Sequence, residues 1–227
     1  YAHGALPSAR AATRSPSVAE TQAMTSQIAL PLIPAGARDP ASIAIGSGNR
    51  AVAEALAAPE NWPFRTAILH GPPRSGKSLL ARWFANRHAG GVIDGVEALD
   101  ETEVFHSWNR AQEDGFPLLI VVDGENWTIT LPDLRSRMGA ALQLEIGAPD
   151  DDMAAELMLN HALQRGLVLG EGAPAYLIPR MERSYAAIEK IVSEIDRLSL
   201  ERQVPATLSV WRDALEAVQG PEQGRLI

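Results

Sequence analysis

Residues 71–78 form a run whose residue types and spacing fit the binding of a polyphosphate. The run matches the pattern G-x-x-x-x-G-K-[ST] at every position. In this pattern the backbone N–H groups of a glycine-rich turn surround the phosphates, the lysine reaches the β- and γ-phosphates, and the hydroxyl binds the accompanying Mg²⁺. The sequence therefore predicts a site for ADP or ATP with Mg²⁺, formed by Gly71, Pro72, Pro73, Arg74, Ser75, Gly76, Lys77 and Ser78.

Such a site also needs an acidic residue, at the end of a neighbouring strand, to hold the hydration shell of the metal. Asp94 closes a short apolar run, and Asp123 closes a longer one. The hydrophobic pattern alone favours Asp123, because its run has the composition of a fully buried strand. Glycine follows each candidate, at Gly95 and Gly124, where many ATPases of the phosphate-loop class place an acid that orients the attacking water. This pattern predicts weak ATP hydrolysis.

The elements that position these residues alternate between strand and helix. Continuous apolar runs separated by helices are typical of a parallel sheet covered on both faces. The phosphate-loop run lies between the first strand and the following helix, as its chemistry requires. The fold class is therefore predicted as α/β, with strands at 66–70, 91–94, 118–123 and 142–146 and with helices at 77–87 and 99–113.

After Pro149 the pattern becomes helical throughout. The acidic run 150–152 is typical of a helix N-terminus, where carboxylates cap the free N–H groups. Helices are expected from there to about residue 165, and at 173–181, 184–202 and 207–218. The predicted domains are a disordered tail (1–26), a peptide and linker (27–41), the α/β domain (42–148) and an all-helical domain (149–227).

Composition narrows the function classes. Lysine and arginine total 20 against 28 aspartates and glutamates, a net charge of −8, so the surface as a whole does not suit binding to nucleic acid. The absence of cysteine excludes disulfides, thiolate nucleophiles and cysteine-ligated zinc. No stretch reaches the roughly 18 consecutive apolar residues of a membrane span. The expectation is a cytoplasmic protein that does not bind membranes.

Five motifs follow one another in a characteristic order: residues 43–49, the phosphate loop, 104–109, 131–137 and 148–152. Only the phosphate loop is specific by itself, whereas the order of the whole set is specific. This set resembles the AAA+ domain of the bacterial initiator DnaA and, more closely, the DnaA-related Hda family of regulatory inactivators in its alphaproteobacterial form. The resemblance implies a P-loop AAA+ domain followed by a helical lid.

The resemblance also implies roles for individual residues. It makes Asp94 the Walker B acid near the Mg²⁺ held by Ser78, and it moves Asp123 to the sensor I position at the nucleotide, which reverses the choice made from the pattern. Gly46 and Asn49 join the nucleotide-binding residues. The short separation between Ser78 and Asp94 implies that one strand–helix unit of DnaA is missing, which gives a shortened domain.

Arg137 corresponds to the arginine finger of the family, a guanidinium that acts in trans on nucleotide bound to another subunit. Two features depart from the family pattern. The lid arginine is absent at its expected position, Ala186, and Arg183 is the candidate substitute. The chain ends at Ile227, before the DNA-binding domain of DnaA, so sequence-specific binding to DNA is not expected.

The segment Gln27-Ile28-Ala29-Leu30-Pro31-Leu32 resembles the hexapeptide that bacterial replication proteins present to the β sliding clamp of DNA polymerase III. An extended, proline-stiffened peptide can place Leu30 and Leu32 in an apolar pocket while the Gln27 amide forms hydrogen bonds at the rim. The residues implied in clamp binding are Gln27, Ile28, Leu30, Pro31 and Leu32.

The resemblance implies a nucleotide-binding regulator of replication initiation that binds the sliding clamp and promotes hydrolysis of DnaA-bound ATP. The alternative is a small stand-alone P-loop ATPase, similar to a helicase loader, or a P-loop kinase. The sequence leaves open whether ADP or ATP is the working ligand, whether the chain forms homo-oligomers, and whether DnaA is its target.

Overall fold

The computed structural model describes residues 43–123 and 127–220, all of which belong to one compact unit. The predicted tail and the hexapeptide 27–32 lie outside these residues. Four strands form one parallel sheet in the order β2-β3-β1-β4. Their bounds are Thr66–His70 (β1), Gly91–Asp94 (β2), Leu118–Val121 (β3) and Leu142–Glu145 (β4).

Four helices accompany the strands along the chain. They are α1 (Arg50–Ala57), α2 (Lys77–Arg87), α3 (Glu101–Asp114) and α4 (Pro132–Ala140). Helix α2 leads directly to β2, so the described chain has no strand between the phosphate loop and Asp94, in agreement with the implied shortening. Strand β3 lies between the phosphate-loop strand β1 and β2, so Asp123 follows the nearer strand and Asp94 ends the farther one.

Four further helices follow the sheet and form the helical lid: α5 (Asp151–Gln164), α6 (Ala173–Leu177), α7 (Tyr185–Arg202) and α8 (Leu208–Gln219). The start of α5 is fixed by the Asp150 carboxylate, which accepts a hydrogen bond from Met153 N. Ser184 caps α7 in the same way by accepting from Ala187 N. No helix within the described ranges has the length and apolarity that crossing a bilayer requires.

Successive side chains of the strands point to opposite faces of the sheet, and the α/β core therefore has two layers. One face of the sheet, with side chains such as Leu69 and Leu119, packs against α1 and α2. The opposite face, with Ile68 and Ile120, packs against α3 and α4. Side chains of a strand point to opposite faces in turn, so runs that are apolar at every position are buried from both sides. Residues of α5, α6, α7 and α8 form a separate core of the lid.

Candidate nucleotide-binding site

The phosphate loop connects the end of β1 to the start of α2. Gly76 has a φ of +86° and precedes the helix in the left-handed conformation, which glycine adopts without steric cost. At Gly71 the requirement is space, because a Cβ there would lie 2.9 Å from Ile146 Cβ. These two glycines therefore allow the loop to turn closely beside the end of β4 and to enter α2 without strain.

Lys77 begins α2, and its side chain is buried within the loop, with 4% of the residue exposed. Its Nζ donates hydrogen bonds to Gly71 O at 2.9 Å and to Pro72 O at 3.2 Å. The same ammonium lies 3.5 Å from Asp123 Oδ1, and the Asp123 side chain is 77% exposed. A buried ammonium held mainly by carbonyls is incompletely compensated, so an incoming phosphate would be strongly favoured.

Two serines complete the local donor set. The Ser75 hydroxyl is buried and has no hydrogen-bond partner within the described part of the chain. A buried hydroxyl without a partner loses free energy that a phosphate oxygen can restore. Ser78, in the first turn of α2, is half-buried. The donors present thus fit a polyphosphate, with the Ser78 hydroxyl as the group that would hold its Mg²⁺.

The two candidate acids have different surroundings. Asp123 contacts Lys77, whereas Asp94 is exposed at the end of β2, and no hydrogen bond or ion pair reaches its carboxylate from the described residues. Residues 43–123 and 127–220 contain no group of three or more histidines and acids able to hold a metal by themselves. The geometry therefore joins Asp123 to the phosphate loop, and the assignment of Asp94 to the magnesium stays a prediction.

The Asn49 side chain holds the loop before α1 in its conformation through two hydrogen bonds. Asn49 Oδ1 accepts a hydrogen bond from Gly46 N at 3.0 Å, and its Nδ2 donates to Ala44 O at 2.8 Å. The side chain is buried and both of its polar atoms are used within the loop. Asn49 thus fixes the loop conformation, and contact of Gly46 and Asn49 with a nucleotide stays a prediction.

This loop also contacts the start of the lid. Ser47 N donates to Asp150 Oδ2 at 3.1 Å, and Gly147 N donates to Gly48 O at 2.8 Å. A Cβ at Gly46 would lie 2.6 Å from Met153 Cβ, so only glycine allows α5 to approach this closely. The acidic run predicted Asp150 as a helix cap, but its contact with Ser47 was not predicted.

Tyr185 closes the same junction from α7. Its hydroxyl donates to Gly147 O at 3.0 Å. Burial, together with the nearby Asp150 carboxylate, raises the pKa of Tyr185 to about 12, so the hydroxyl stays protonated and remains a donor. Hydrogen bonds from Ser47 and Met153 lower the pKa of Asp150, so this carboxylate stays ionised. The junction therefore joins the loop, the end of β4 and two lid helices through groups whose protonation states do not change near neutral pH.

The lid also reaches the phosphate loop directly. Arg74 Nη2 donates to Glu189 Oε1 at 2.7 Å, and Arg74 Nε lies 2.6 Å from Glu189 Oε2. The candidate substitute for the lid arginine, Arg183, pairs instead with Asp151 of α5 at 3.0 Å. Ala186 is exposed and carries no charge. Glu189 was not predicted as a site residue, because nothing in the spacing indicates that α7 meets residue 74.

Arg137 lies on α4, where it is half-buried against α3. Its Nη1 donates to Asn109 Oδ1 at 2.6 Å. The guanidinium carbon lies 4.5 Å from the ring centre of Phe105 and 4.3 Å from that of Trp108. Guanidinium groups stack favourably on aromatic faces. The structure thus shows Arg137 held by its own chain, and its action in trans stays a prediction.

No family model matches this chain. Solved structures do match. Domain III of the replication initiation protein DnaA from Thermotoga maritima has a TM-score of 0.67 at 14% identity, covering 83% of this chain and 99% of that one. AMPPCP-bound DnaA from Aquifex aeolicus has a TM-score of 0.53 at 18% identity, covering 72% of this chain and 67% of that one.

The structure of a motor protein is also similar to that of this chain. The Holliday junction branch migration motor RuvB from Thermotoga maritima has a TM-score of 0.55 at 19% identity, covering 76% of this chain and 70% of that one. At identities this low, the structural likeness establishes the fold alone. The prediction of fold class is therefore confirmed: this chain has the AAA+ P-loop fold, with a parallel sheet and a helical lid, and it is similar to domain III of DnaA.

Proposed function

We propose that this chain is a DnaA-related AAA+ regulator of chromosome replication initiation. It binds adenine nucleotide and the β sliding clamp, and it promotes hydrolysis of ATP bound to DnaA. The observation that carries the proposal is a complete phosphate loop in a fold that spans 99% of DnaA domain III. The resemblance of the motifs to the Hda family supports the same function.

The nucleotide step uses the loop between β1 and α2. Lys77 would exchange its bonds to Gly71 O and Pro72 O for phosphate oxygens, and Ser75 would gain the partner that it lacks in the described chain. Ser78 would hold the Mg²⁺, and Asp94 or Asp123 would order its water shell. The AMPPCP-bound state of the Aquifex aeolicus DnaA supports a nucleotide in this fold.

The step in trans would use Arg137. AAA+ domains with similar folds can pack head to tail, so that one surface of a subunit meets the nucleotide of the next. Arg137 would then place its guanidinium against the phosphates bound to DnaA and stabilise the charge that develops during hydrolysis. Its hydrogen bond to Asn109 already selects one conformation of the side chain.

The clamp would be bound through the hexapeptide 27–32, which lies outside the described residues. A short peptide that binds a pocket on the clamp raises the local concentration of the attached AAA+ domain near replicated DNA. Hydrolysis of DnaA-bound ATP would therefore increase once clamps have been loaded. This arrangement couples inactivation of the initiator to ongoing replication.

The test measures the fate of ATP held by DnaA. Purified chain is mixed with DnaA bound to radiolabelled ATP, with and without DNA-loaded clamp, and the labelled nucleotide on DnaA is identified over time. We expect conversion to ADP to be accelerated only when both the chain and the clamp are present. An unchanged rate of conversion in the complete mixture would contradict the proposal.

The similarity to the RuvB motor favours a second candidate, a stand-alone ATPase. This candidate turns over ATP without DnaA or clamp, whereas the proposed regulator should turn it over slowly. The resemblance puts Gly95 where an acid would orient the attacking water and Ala186 where a lid arginine would contact the terminal phosphate. Because both groups would act mainly in the transition state, their loss lowers kcat more than it lowers affinity. Rapid ATP hydrolysis by the purified chain alone would favour the motor.

A further inference from the structure

Two consecutive residues just before β1 have left-handed backbone conformations. Phe64 has a φ of +50°, and Arg65 has a φ of +47°. This conformation is rare for bulky side chains, and it persists only where surrounding contacts impose it. Backbone strain of this kind is found most often at functional sites. The turn at residues 64–65 is therefore a candidate for a role beyond connecting two elements.

Three hydrogen bonds hold this turn in place. Gln112 Nε2 of α3 donates to Phe64 O at 2.8 Å, and Thr66 Oγ1 donates to the same oxygen at 2.9 Å. The Arg65 guanidinium donates to Gly115 O, directly after α3. These bonds use backbone oxygens and the Arg65 side chain, so none of them involves the ring of Phe64.

The turn and the end of α3 present two phenylalanine rings to solvent. Phe64 is 59% exposed, and Phe116, which follows α3, is 47% exposed. The hydrogen bonds from Gln112 and Arg65 hold the two segments together. Rigid aromatic side chains are typical anchors of protein interfaces, because they bury a large apolar area with little loss of conformational entropy. Phe64 and Phe116 together are called the aromatic patch below.

A chain of contacts connects the aromatic patch to Arg137. The Arg137 guanidinium stacks on the ring of Trp108, and Trp108 Nε1 donates to Thr66 Oγ1 at 3.1 Å. Thr66 Oγ1 in turn donates to Phe64 O. The arginine that is predicted to act in trans and the strained turn are therefore held by the same two side chains.

The aromatic patch also lies close to Arg137 along α3. Asn109 and Gln112, three residues apart, lie on one face of this helix. Asn109 binds Arg137, and Gln112 binds Phe64 O, so the two contacts are separated by about 5 Å of helix. A standard protein interface covers about 800 Å² of each partner, an area about 30 Å across. An interface of that size centred on Arg137 extends over the aromatic patch.

We propose that the aromatic patch is the apolar anchor by which this chain docks on the nucleotide-bound AAA+ domain that Arg137 reaches. Under the proposed function, on which this inference rests, that partner is ATP-bound DnaA. Burial of the two rings supplies affinity, whereas Arg137 stabilises the charge that develops during hydrolysis. Loss of the patch should therefore weaken binding, and loss of the arginine should lower the rate within the bound complex.

The experiment measures Kd of the whole chain for immobilised DnaA bound to AMPPCP, by surface plasmon resonance without clamp. In Phe64→Asn and in Phe116→Ser we expect Kd to rise about tenfold, the loss typical of one anchoring side chain. Hydrolysis of labelled ATP on DnaA, measured with clamp and a saturating amount of each variant, should keep the wild-type rate. Arg137→Ala should show the opposite pattern, with nearly unchanged Kd and a low rate at saturation.

The asparagine variant separates docking from folding. Asparagine adopts the left-handed conformation more readily than phenylalanine, so Phe64→Asn should keep or raise the melting temperature while it weakens binding. The matched control is Leu200→Ser, which removes an exposed apolar side chain near the end of α7. We expect this control to bind DnaA with wild-type affinity.

Wild-type affinity in both phenylalanine variants would overturn the inference. It would leave the proposed function standing, because stimulation of hydrolysis by the wild-type chain is measured separately. Weaker binding by Phe64→Asn that is accompanied by a lower melting temperature would also overturn it, since the ring would then stabilise the fold.

The other candidate occupant of the aromatic patch is a second copy of this chain. Sedimentation analysis of the chain alone shows whether it self-associates. Self-association that both phenylalanine changes abolish, with DnaA binding intact, would overturn the inference. A wild-type chain that neither binds DnaA nor stimulates hydrolysis would overturn the inference and the proposed function together.

Discussion

Arg137 Nη1 lies 2.6 Å from Asn109 Oδ1, and the hydrogen bond between them joins α4 to α3. Both residues belong to motifs that carry the resemblance to DnaA-related proteins, 131–137 and 104–109. The contact places the guanidinium on the aromatic rings of Phe105 and Trp108. A side chain held in this way loses little conformational entropy when it meets a partner's phosphates, because its rotamer is already selected.

The first prediction concerns this arginine. Arg137→Ala should bind nucleotide and clamp normally but should stimulate hydrolysis of DnaA-bound ATP far less than the wild-type chain. Arginine fingers contribute about 10³–10⁵ in rate where chemistry is limiting. The measurement is the rate of conversion of labelled DnaA-bound ATP to ADP in the presence of clamp.

Arg135→Ala is the matched control for Arg137, since both residues lie on α4. Arg135 is exposed, and its Nε donates to Ile129 O at 2.8 Å. Replacing Arg135 removes the same positive charge but leaves the hydrogen bond between Arg137 and Asn109 in place. If the two variants stimulate hydrolysis equally well, Arg137 serves only to hold α4 against α3.

The second prediction concerns the phosphate loop. Lys77→Ala should abolish binding of ADP and of AMPPCP, because it removes the buried ammonium that Gly71 O and Pro72 O hold in the loop. Fluorescence anisotropy with a labelled adenine nucleotide measures the affinity. Lys190→Ala changes the only other lysine of the chain, which lies on α7, and should bind with wild-type affinity. Retained binding in Lys77→Ala would mean that the nucleotide is held elsewhere.

The third prediction concerns the clamp. Replacing Gln27, Leu30 and Leu32 together with alanine should abolish binding to purified clamp while leaving nucleotide affinity unchanged. The physical reason is the loss of two apolar anchors and of one amide that forms hydrogen bonds. Surface plasmon resonance with immobilised clamp measures the effect, and alanine at Ser15, Ser17 and Thr21 is the control. Clamp affinity that survives the triple change at 27, 30 and 32 would disprove the role of the hexapeptide.

The fourth prediction concerns the stability of the junction at high pH. In the folded chain the pKa of Tyr185 is raised to about 12, whereas tyrosine in an unfolded chain ionises near 10. The stabilisation from this shift is fully present below pH 10 and is lost as the pH rises to about 12, because the unfolded state releases its proton first. Urea unfolding at pH 8 and at pH 11 should show this loss.

Tyr185→Phe should remove that part of the pH dependence and should lower the free energy of unfolding at pH 8 by about 1 kcal/mol, through loss of the hydrogen bond to Gly147 O. Tyr176→Phe, a change in the lid core away from the junction, should keep the wild-type dependence. A Tyr185→Phe variant as sensitive to pH as the wild-type chain would show that other groups cause the loss.

The sequence predicted most of the elements that position the site. The bounds of β1 and α2 agree with the apolar run 66–70 and with the helical pattern 77–87, because each element is specified by neighbouring residues. Strand β3 ends at Val121, two residues before the predicted end. Helix α4 was not predicted from the pattern, since only Leu134 and Met138 of its residues are buried, although Pro132 at its start is typical of a first helical turn.

The contacts between distant residues could not be predicted. Arg74 and Glu189 are 115 residues apart, and Arg137 and Asn109 are 28 apart. Periodicity and capping patterns describe one element at a time, so they carry no information on which side chains of two elements meet. The same reason explains why Tyr185 was missed at the junction.

Two lid side chains, Met153 and Tyr185, are buried among residues of the sheet and of its first two helices. A side chain that fills the interior of the neighbouring layer cannot be exposed without opening that layer as well. The lid and the sheet should therefore unfold in a single cooperative transition, with equal calorimetric and van't Hoff enthalpies. A scan with two separate heat-absorption peaks would show instead that the two cores are thermodynamically independent.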